Sequence, residues 1–231
     1  MPDDLVIALL HGCTQGPLGW ERVAAGLRAQ AIASTDLNLE PARFDQAGTM
    51  ECADEITRQL SPFDKVVLVS TSCSGLLAPV VATLRPVERL VFVCAGLPDI
   101  GRSATTQIAE DGLLCSDWMH WEGDPVDPVA ARRFMFHDCA EKDVGWCLRT
   151  VRLLLPQRVY DEVTPLQEWP DVPSTYVLGT EDRIINPEWA REVVPSRLGI
   201  RPMEIPTGHC PQNSQPDRIV QLLAGIAARP R

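Results

Sequence analysis

Short unbroken apolar runs alternate with amphipathic stretches along most of the chain. Leu5–Leu10 is the first such run and leads into His11-Gly12. Trp20–Gln30 places Val23, Leu27 and Gln30 at helical spacing, and Ala31–Leu37 predicts a second short strand. Met50–Leu60 predicts a helix, with acids early and Arg58 late, the distribution that suits the helix macrodipole. Lys65–Val69 is continuous and β-branched, as a strand covered on both faces requires. Cys73–Leu84 predicts a helix that Pro79 is expected to kink, and Arg89–Cys94 predicts a fourth strand.

The rhythm breaks after Gly96. Leu97–Glu168 has no clear buried strand, holds two helical patterns (Pro128–Phe136 and Glu141–Leu154), and carries Trp118, Trp121 and Trp146, with Trp169 at its end. Alternation then returns: strand Ser174–Leu178, helix Pro187–Val193, strand Met203–Ile205, helix Pro216–Ala227. This order implies a mostly parallel sheet with right-handed crossovers and helices on both faces. Residues 97–168 are expected to form a small helical cap inserted after the fourth strand of one domain spanning 1–231. Such an insertion would lie over the C-terminal edge of the sheet, where open α/β sheets bind ligands. There is no internal repeat.

Composition narrows the function classes. The 231 residues are 45% hydrophobic and 23% charged, an ordinary globular balance that excludes fibre and disorder. One domain of this size buries about three quarters of its unfolded surface. The net charge is −10 with no Lys/Arg-rich stretch, which disfavours nucleic acid and anionic membrane as partners. A spanning helix needs about 20 apolar residues, and none is present. Leu5–Leu10 lacks the flanks of a signal peptide, so a cytoplasmic location is expected. The eight cysteines are scattered, without C-x-x-C and without a histidine cluster, so no metal is expected and most thiols read as small buried hydrophobes. No phosphate-cradling glycine loop follows a strand, and no cofactor is expected. The expected partner is a small-molecule substrate, and the chain is expected to be a monomer or homodimer.

Four segments carry candidate chemistry. In Val66–Ala78 a buried strand runs into Ser70-Thr71-Ser72-Cys73-Ser74-Gly75 and then a helix. That is the context of a nucleophile elbow, a turn so tight that its central residue is strained and the residues two before and two after must be small. Ser72 fits the centre, with Ser70 and Ser74 replacing the usual glycines; a register one residue later would present Cys73 instead. Without support from elsewhere, the same residues read as a serine-rich cap of a buried helix. In Ser174–Arg183 a strand ends in Gly179 and then presents Asp182, with Glu181 as the rival acid; a carboxylate there can orient an imidazole. His209 lies in a loop, Ile205–Pro211, before the last helix. Leu9–Gly16 follows the first strand and can aim a backbone N–H at a developing oxyanion; the expected donors are the N–H groups of Cys13 and Cys73. His11 is expected to pack structurally.

With Ser72, Asp182 and His209 in that order, the chain resembles the α/β-hydrolase superfamily over essentially its full length. It looks most like the small branch of plant methyl esterases, hydroxynitrile lyases and bacterial esterase-like relatives. Phe92-Val93-Cys94-Ala95-Gly96-Leu97-Pro98 and Gly208-His209 followed by Ser214-Gln215-Pro216 fit that branch. The resemblance implies a single α/β-hydrolase domain with Ser72 as nucleophile, His209 as base and Asp182 as its orienter. Hydroxynitrile lyases of the branch carry a hydroxyl residue where this chain has Gly12 and a lysine where it has Cys210, which argues against cyanohydrin cleavage.

Hydrolysis of a carboxylic ester or similar acyl bond is the leading expectation. An elimination with His209 as base, or a small-molecule receptor on the same fold, are the alternatives, because one fold hosts many functions. Trp118, Trp121, Phe136 and Trp146 are the candidate substrate contacts, with Met119, Phe134 and Met135 as further apolar wall; several are equally suited to fastening cap helices to the core. His120 and His137 have no evident partner, and Asp138 is placed to cap the helix that follows it.

Overall fold

The computed structural model describes residues 5–154 and 156–228. Six parallel strands form one sheet: β1 (Val6–Leu10), β2 (Ser34–Leu37), β3 (Val66–Ser72), β4 (Arg89–Ala95), β5 (Ser174–Gly179) and β6 (Met203–Ile205), in the spatial order β2-β1-β3-β4-β5-β6. All six expected strands are present. β2 starts three residues later than expected, because Ala31 takes a positive φ of 56° and turns the chain after the helix Glu21–Ala29.

Side-chain alternation divides the core into two layers. Ile7, Leu9, Val67, Val69, Val91 and Val93 face the helices Glu21–Ala29 and Pro216–Ala227. Ala8, Leu10, Leu68, Leu90 and Phe92 face Thr49–Leu60, Ala78–Leu84 and Pro187–Leu198. Both faces of the central strands are therefore dry, which is why their sequences read as unbroken apolar runs.

The stretch expected as one kinked helix, Cys73–Leu84, is instead a 3-10 turn, Cys73–Leu76, followed by the helix Ala78–Leu84. Pro79 sits in the first turn of that helix, where its missing N–H has no intrahelical acceptor to lose, so it starts the helix rather than bending it. Between β4 and β5 the described residues hold no strand of the sheet, only short helices. Pro128–Ala130 leads into a π-helical turn, Ala131–Met135, and the predicted helix from Glu141 ends at Arg149. Phe134, Met135, Phe136 and Cys147 from this stretch pack with Ile184 and Cys210 at the carboxyl end of the sheet as a third apolar cluster. No helix among the described residues is long and apolar enough to cross a membrane.

The chain leaves β1 towards β2 on one side and returns to β3 on the other. The carboxyl ends of β1 and β3 thus flank the point where strand order reverses, the crevice in which doubly wound sheets bind ligands.

Candidate active site

β3 runs to Ser72, whose backbone sits at φ 56°, ψ −130°. A side-chain-bearing residue holds a positive φ only where its surroundings impose it. Here they do. A Cβ on Gly75 would lie 2.2 Å from the Gly96 carbonyl oxygen, and one on Gly12 would lie 2.7 Å from Ser72 Cβ. Both glycines let backbone approach where any side chain would push it away. Ser74 fits where glycine is usual because its hydroxyl folds into the turn, accepting from the Thr71 N–H at 3.0 Å and donating to the Thr71 carbonyl at 2.8 Å. Ser70 is fully buried beside β4. The left-handed backbone falls on Ser72 and not on Cys73, which opens the 3-10 turn.

The loop after β5 brings Asp182 beneath the loop after β6. Asp182 Oδ1 accepts the N–H groups of Ile184 (2.8 Å) and Ile185 (3.1 Å), and Oδ2 lies 2.9 Å from His209 Nδ1. Both side chains are buried. A carboxylate can only accept, so in the neutral ring the proton sits on Nδ1 and the lone pair on Nε2. Glu181 is exposed and uses its backbone N–H on the Thr207 carbonyl, so the structure pairs His209 with Asp182 rather than with the rival acid.

The His209 loop is held from two sides. Cys94, in a left-handed kink at the end of β4 (φ 47°), lies 3.7 Å by its thiol from the Gly208 carbonyl. Asp138 Oδ2 accepts the Gly208 N–H and the Thr207 hydroxyl, each at 2.8 Å. Asp138 is therefore not the helix cap expected of it; that position belongs to Ala140. Its neighbour His137 places Nε2 3.0 Å from the Glu181 carbonyl, so this one dipeptide grips both loops. Sequence reasoning missed this role, since nothing local to an irregular segment signals a contact with residues about 70 positions away. His120, the other histidine left without a partner, bonds within its own turn to Ser116.

His11 is structural, as expected. Nδ1 donates to the Gly12 carbonyl, Nε2 accepts the Leu39 N–H at 3.1 Å, and burial draws its pKa down to about 4.

A cavity of about 300 Å³ opens at the switch between β1 and β3. Ser72, Cys13 and Cys73 line it, with Leu76, Leu113, Trp118, Trp121, Tyr160 and Ile184 among its apolar walls. Trp118 and Trp121 stand edge-to-face against Phe134, with ring centres 5.1 and 5.6 Å apart. The other two aromatic residues expected here lie elsewhere. Phe136 is buried in the third apolar cluster. Trp146 stacks under the Arg22 guanidinium at 4.2 Å and donates its indole N–H to Glu21.

Cys13 and Cys73 are joined by a disulfide, with Cα atoms 6.0 Å apart. The expectation that most of the eight cysteines are small buried hydrophobes did not foresee this bond. The signal was present: two N–H groups expected to converge on one oxyanion place their residues side by side. Leu10 pairs with Ser70 across β1 and β3, so each cysteine stands three residues beyond a paired position. Among the described residues, neither Cys13 nor Cys73 is a backbone donor in the surrounding turns and loops.

A single-domain parallel sheet, a strained serine at the end of its third strand and a buried Asp–His pair at the same edge define a class. The chain belongs to the alpha/beta hydrolase family, whose model matches residues 7–222. Among characterised proteins it is similar to the esterase PIR7B of Oryza sativa subsp. japonica, 25% identical over 95% of this chain and 94% of that protein. Its fold is that of polyneuridine aldehyde esterase (TM-score 0.80, 21% identity, 97% of this chain and all of that one). It is also that of a pyrethroid hydrolase from Sphingobium faniae JZ-2 (TM-score 0.78, 18% identity, 99% of each chain). These likenesses mark an esterase-like enzyme; at such identities the solved structures speak for the fold and not for the substrate.

Proposed function

We propose that the protein is a serine hydrolase of small carboxylic esters whose acyl or alcohol portion is apolar. The observation that carries this reading is the buried Asp182–His209 pair at the sheet edge that also lifts the strained Ser72 into an apolar cavity. In this mechanism His209 Nε2 takes the Ser72 hydroxyl proton as Ser72 Oγ attacks the ester carbonyl. Asp182 keeps the ring in the required tautomer and stabilises the imidazolium. The N–H groups of Cys13 and Cys73 receive the oxyanion; removing one such donor costs about 10²–10³ in rate. His209 then protonates the leaving alcohol, and water resolves the acyl-enzyme with His209 again as base.

The helical stretch 97–168 serves as a cap, with Trp118 and Trp121 contacting the apolar part of the substrate. Only Gly12 fits beside Ser72, so the hydroxyl side chain of the branch's hydroxynitrile lyases has no room there, and Cys210 is buried where they carry a lysine. Both features favour acyl transfer over cyanohydrin cleavage.

The test is a fluorophosphonate probe followed by peptide mapping. Covalent label at Ser72, lost in His209→Ala, is the expected result. Label at Cys73 would move the nucleophile by one residue. A folded protein that takes no label would remove the hydrolase reading and leave elimination or ligand sensing as the activities to assay.

A further inference from the structure

We propose that the Cys13–Cys73 disulfide is a reversible thiol-exchange site, and that small thiols and disulfides reaching it through the cavity set the rate of ester hydrolysis. The proposal rests on the hydrolase reading above.

Both sulfurs belong to residues that line the cavity beside Ser72, so the bond is reachable from the space that admits substrate. None of the six free cysteines is among the residues that line this cavity. Cys52, Cys94, Cys147 and Cys210 are buried, and burial pushes the Cys52, Cys94 and Cys210 thiols up, which withholds the thiolate that exchange needs.

The two sulfurs also differ. Cys13 is buried while Cys73 is only partly buried, so an incoming thiolate reaches Cys73 more readily. Cys13 Sγ lies 3.0 Å from the Tyr160 hydroxyl, and a disulfide sulfur carries no proton, so Tyr160 donates. That hydrogen bond stabilises Cys13 as the departing thiolate. Exchange runs as two attacks. A low-molecular-weight thiolate attacks Cys73 Sγ, forming a mixed disulfide and expelling Cys13 thiolate, which takes a proton. A second thiolate attacks the small-molecule sulfur, releasing the external disulfide and Cys73 thiolate. In sum two external thiols are oxidised to one disulfide and the Cys13–Cys73 bond is reduced to two thiols; an oxidised small disulfide such as oxidised glutathione reverses it.

Hydrolysis is affected because the crosslinked residues are those whose N–H groups face the oxyanion. The bond ties the loop after β1 to the elbow after β3 at a Cα separation of 6.0 Å. Two unbonded sulfurs need more room than two bonded ones; the Sγ atoms of the unlinked pair Cys139 and Cys147 stand 3.8 Å apart. On reduction the thiols push apart at the cavity floor, and two donors that had been held on one point lose their common aim. Catalysis by such donors depends on that preorganisation. The oxidised protein is the faster form.

The experiment equilibrates the full chain with reduced or oxidised glutathione, removes the small thiols, and divides each sample. One half is alkylated and peptide-mapped. The other is assayed with a p-nitrophenyl ester and with the fluorophosphonate probe. The expected result is a Cys13–Cys73 linked peptide in the oxidised sample, both residues alkylated in the reduced one, and hydrolysis about tenfold or more slower after reduction, restored by oxidised glutathione. Cys13→Ala is expected to show one rate in both buffers, near that of the reduced protein. Should that variant not fold, the wild-type map and rates decide alone. Two cysteines alkylated separately after oxidation, or a linked peptide whose reduction changes the rate by less than tenfold, overturns the proposal. If neither sample hydrolyses ester or takes label, the hydrolase reading fails and the claim about rate falls with it, while the map still decides whether the bond exchanges.

Discussion

His11 is a buried neutral histidine outside the chemistry, and it makes folding stability depend on pH. Its pKa is about 4 in the folded protein against 6.5 for an ordinary histidine, because burial penalises the charged ring. Between these values the unfolded chain binds the additional proton, so stability falls as pH drops from the upper value to the lower. The full contribution is about 3 kcal/mol at about 1.4 kcal/mol per pKa unit. Urea midpoints at pH 7 and near pH 4.5 are expected to differ less in His11→Gln than in the wild type. An equal difference in both proteins would show that other groups carry the acid sensitivity. Asp138 acts at the same scale and through another residue, since it holds the Gly208 N–H and the Thr207 hydroxyl beside His209, the proposed base. Asp138→Ala is expected to lower kcat about tenfold with little change in KM, each lost bond to a charged group being worth about 1.5–3 kcal/mol. Asp138→Asn, which keeps an acceptor, recovers most of the rate. A loss of stability with kcat intact would make the residue a simple tether.

At the scale of elements, the elbow and the helical stretch behave differently. The elbow was legible because its requirements are local: a buried strand, small residues at fixed offsets, and a helix start. Even so, the small-residue spacing suits both Ser72 and Cys73, and it is backbone geometry that separates them, the positive φ falling on Ser72. Pro79 shows the same limit, as helix-starting and helix-kinking prolines look alike until the preceding 3-10 turn is known. The stretch 97–168 was legible as helical and irregular, but its aromatics were not sorted. Trp121 faces the cavity and Trp146 faces Arg22, yet both sit in amphipathic surroundings. Trp121→Ala is therefore expected to raise KM for long-chain p-nitrophenyl esters about tenfold, the scale of a few buried methylenes. Trp146→Ala is expected to leave KM unchanged and to lower the thermal midpoint through the lost cation–π and hydrogen-bond contacts. Equal effects of the two on KM would place Trp146 at the substrate after all.

At the scale of the molecule, the face opposite the larger apolar layer depends on a close contact between the first and last long helices. A Cβ on Gly26 would lie 2.6 Å from Val220 Cγ2. Gly26→Ala adds up to about 1 kcal/mol of helix propensity but overpacks the contact, at a cost of about 1–3 kcal/mol. The clash is expected to win: a lower urea midpoint, rescued by the added substitution Val220→Ala, with activity per folded molecule unchanged. A midpoint raised by Gly26→Ala alone would mean that the two helices separate at no cost.

The amino-acid sequence determined the strand–helix alternation, the parallel sheet and the order Ser72, Asp182, His209, because each rests on periodicity, turn chemistry or spacing that a local window contains. The tertiary structure decided whatever depends on which distant segments meet. It paired His209 with Asp182 in place of Glu181, set Asp138 under the His209 loop, sent Phe136 and Trp146 away from the cavity, and joined Cys13 to Cys73. The physical reason is the reversal of strand order between β1 and β3, which brings two loops 60 residues apart to one crevice. A chain in which β1 and β3 were not neighbours would keep every local pattern and lose that contact.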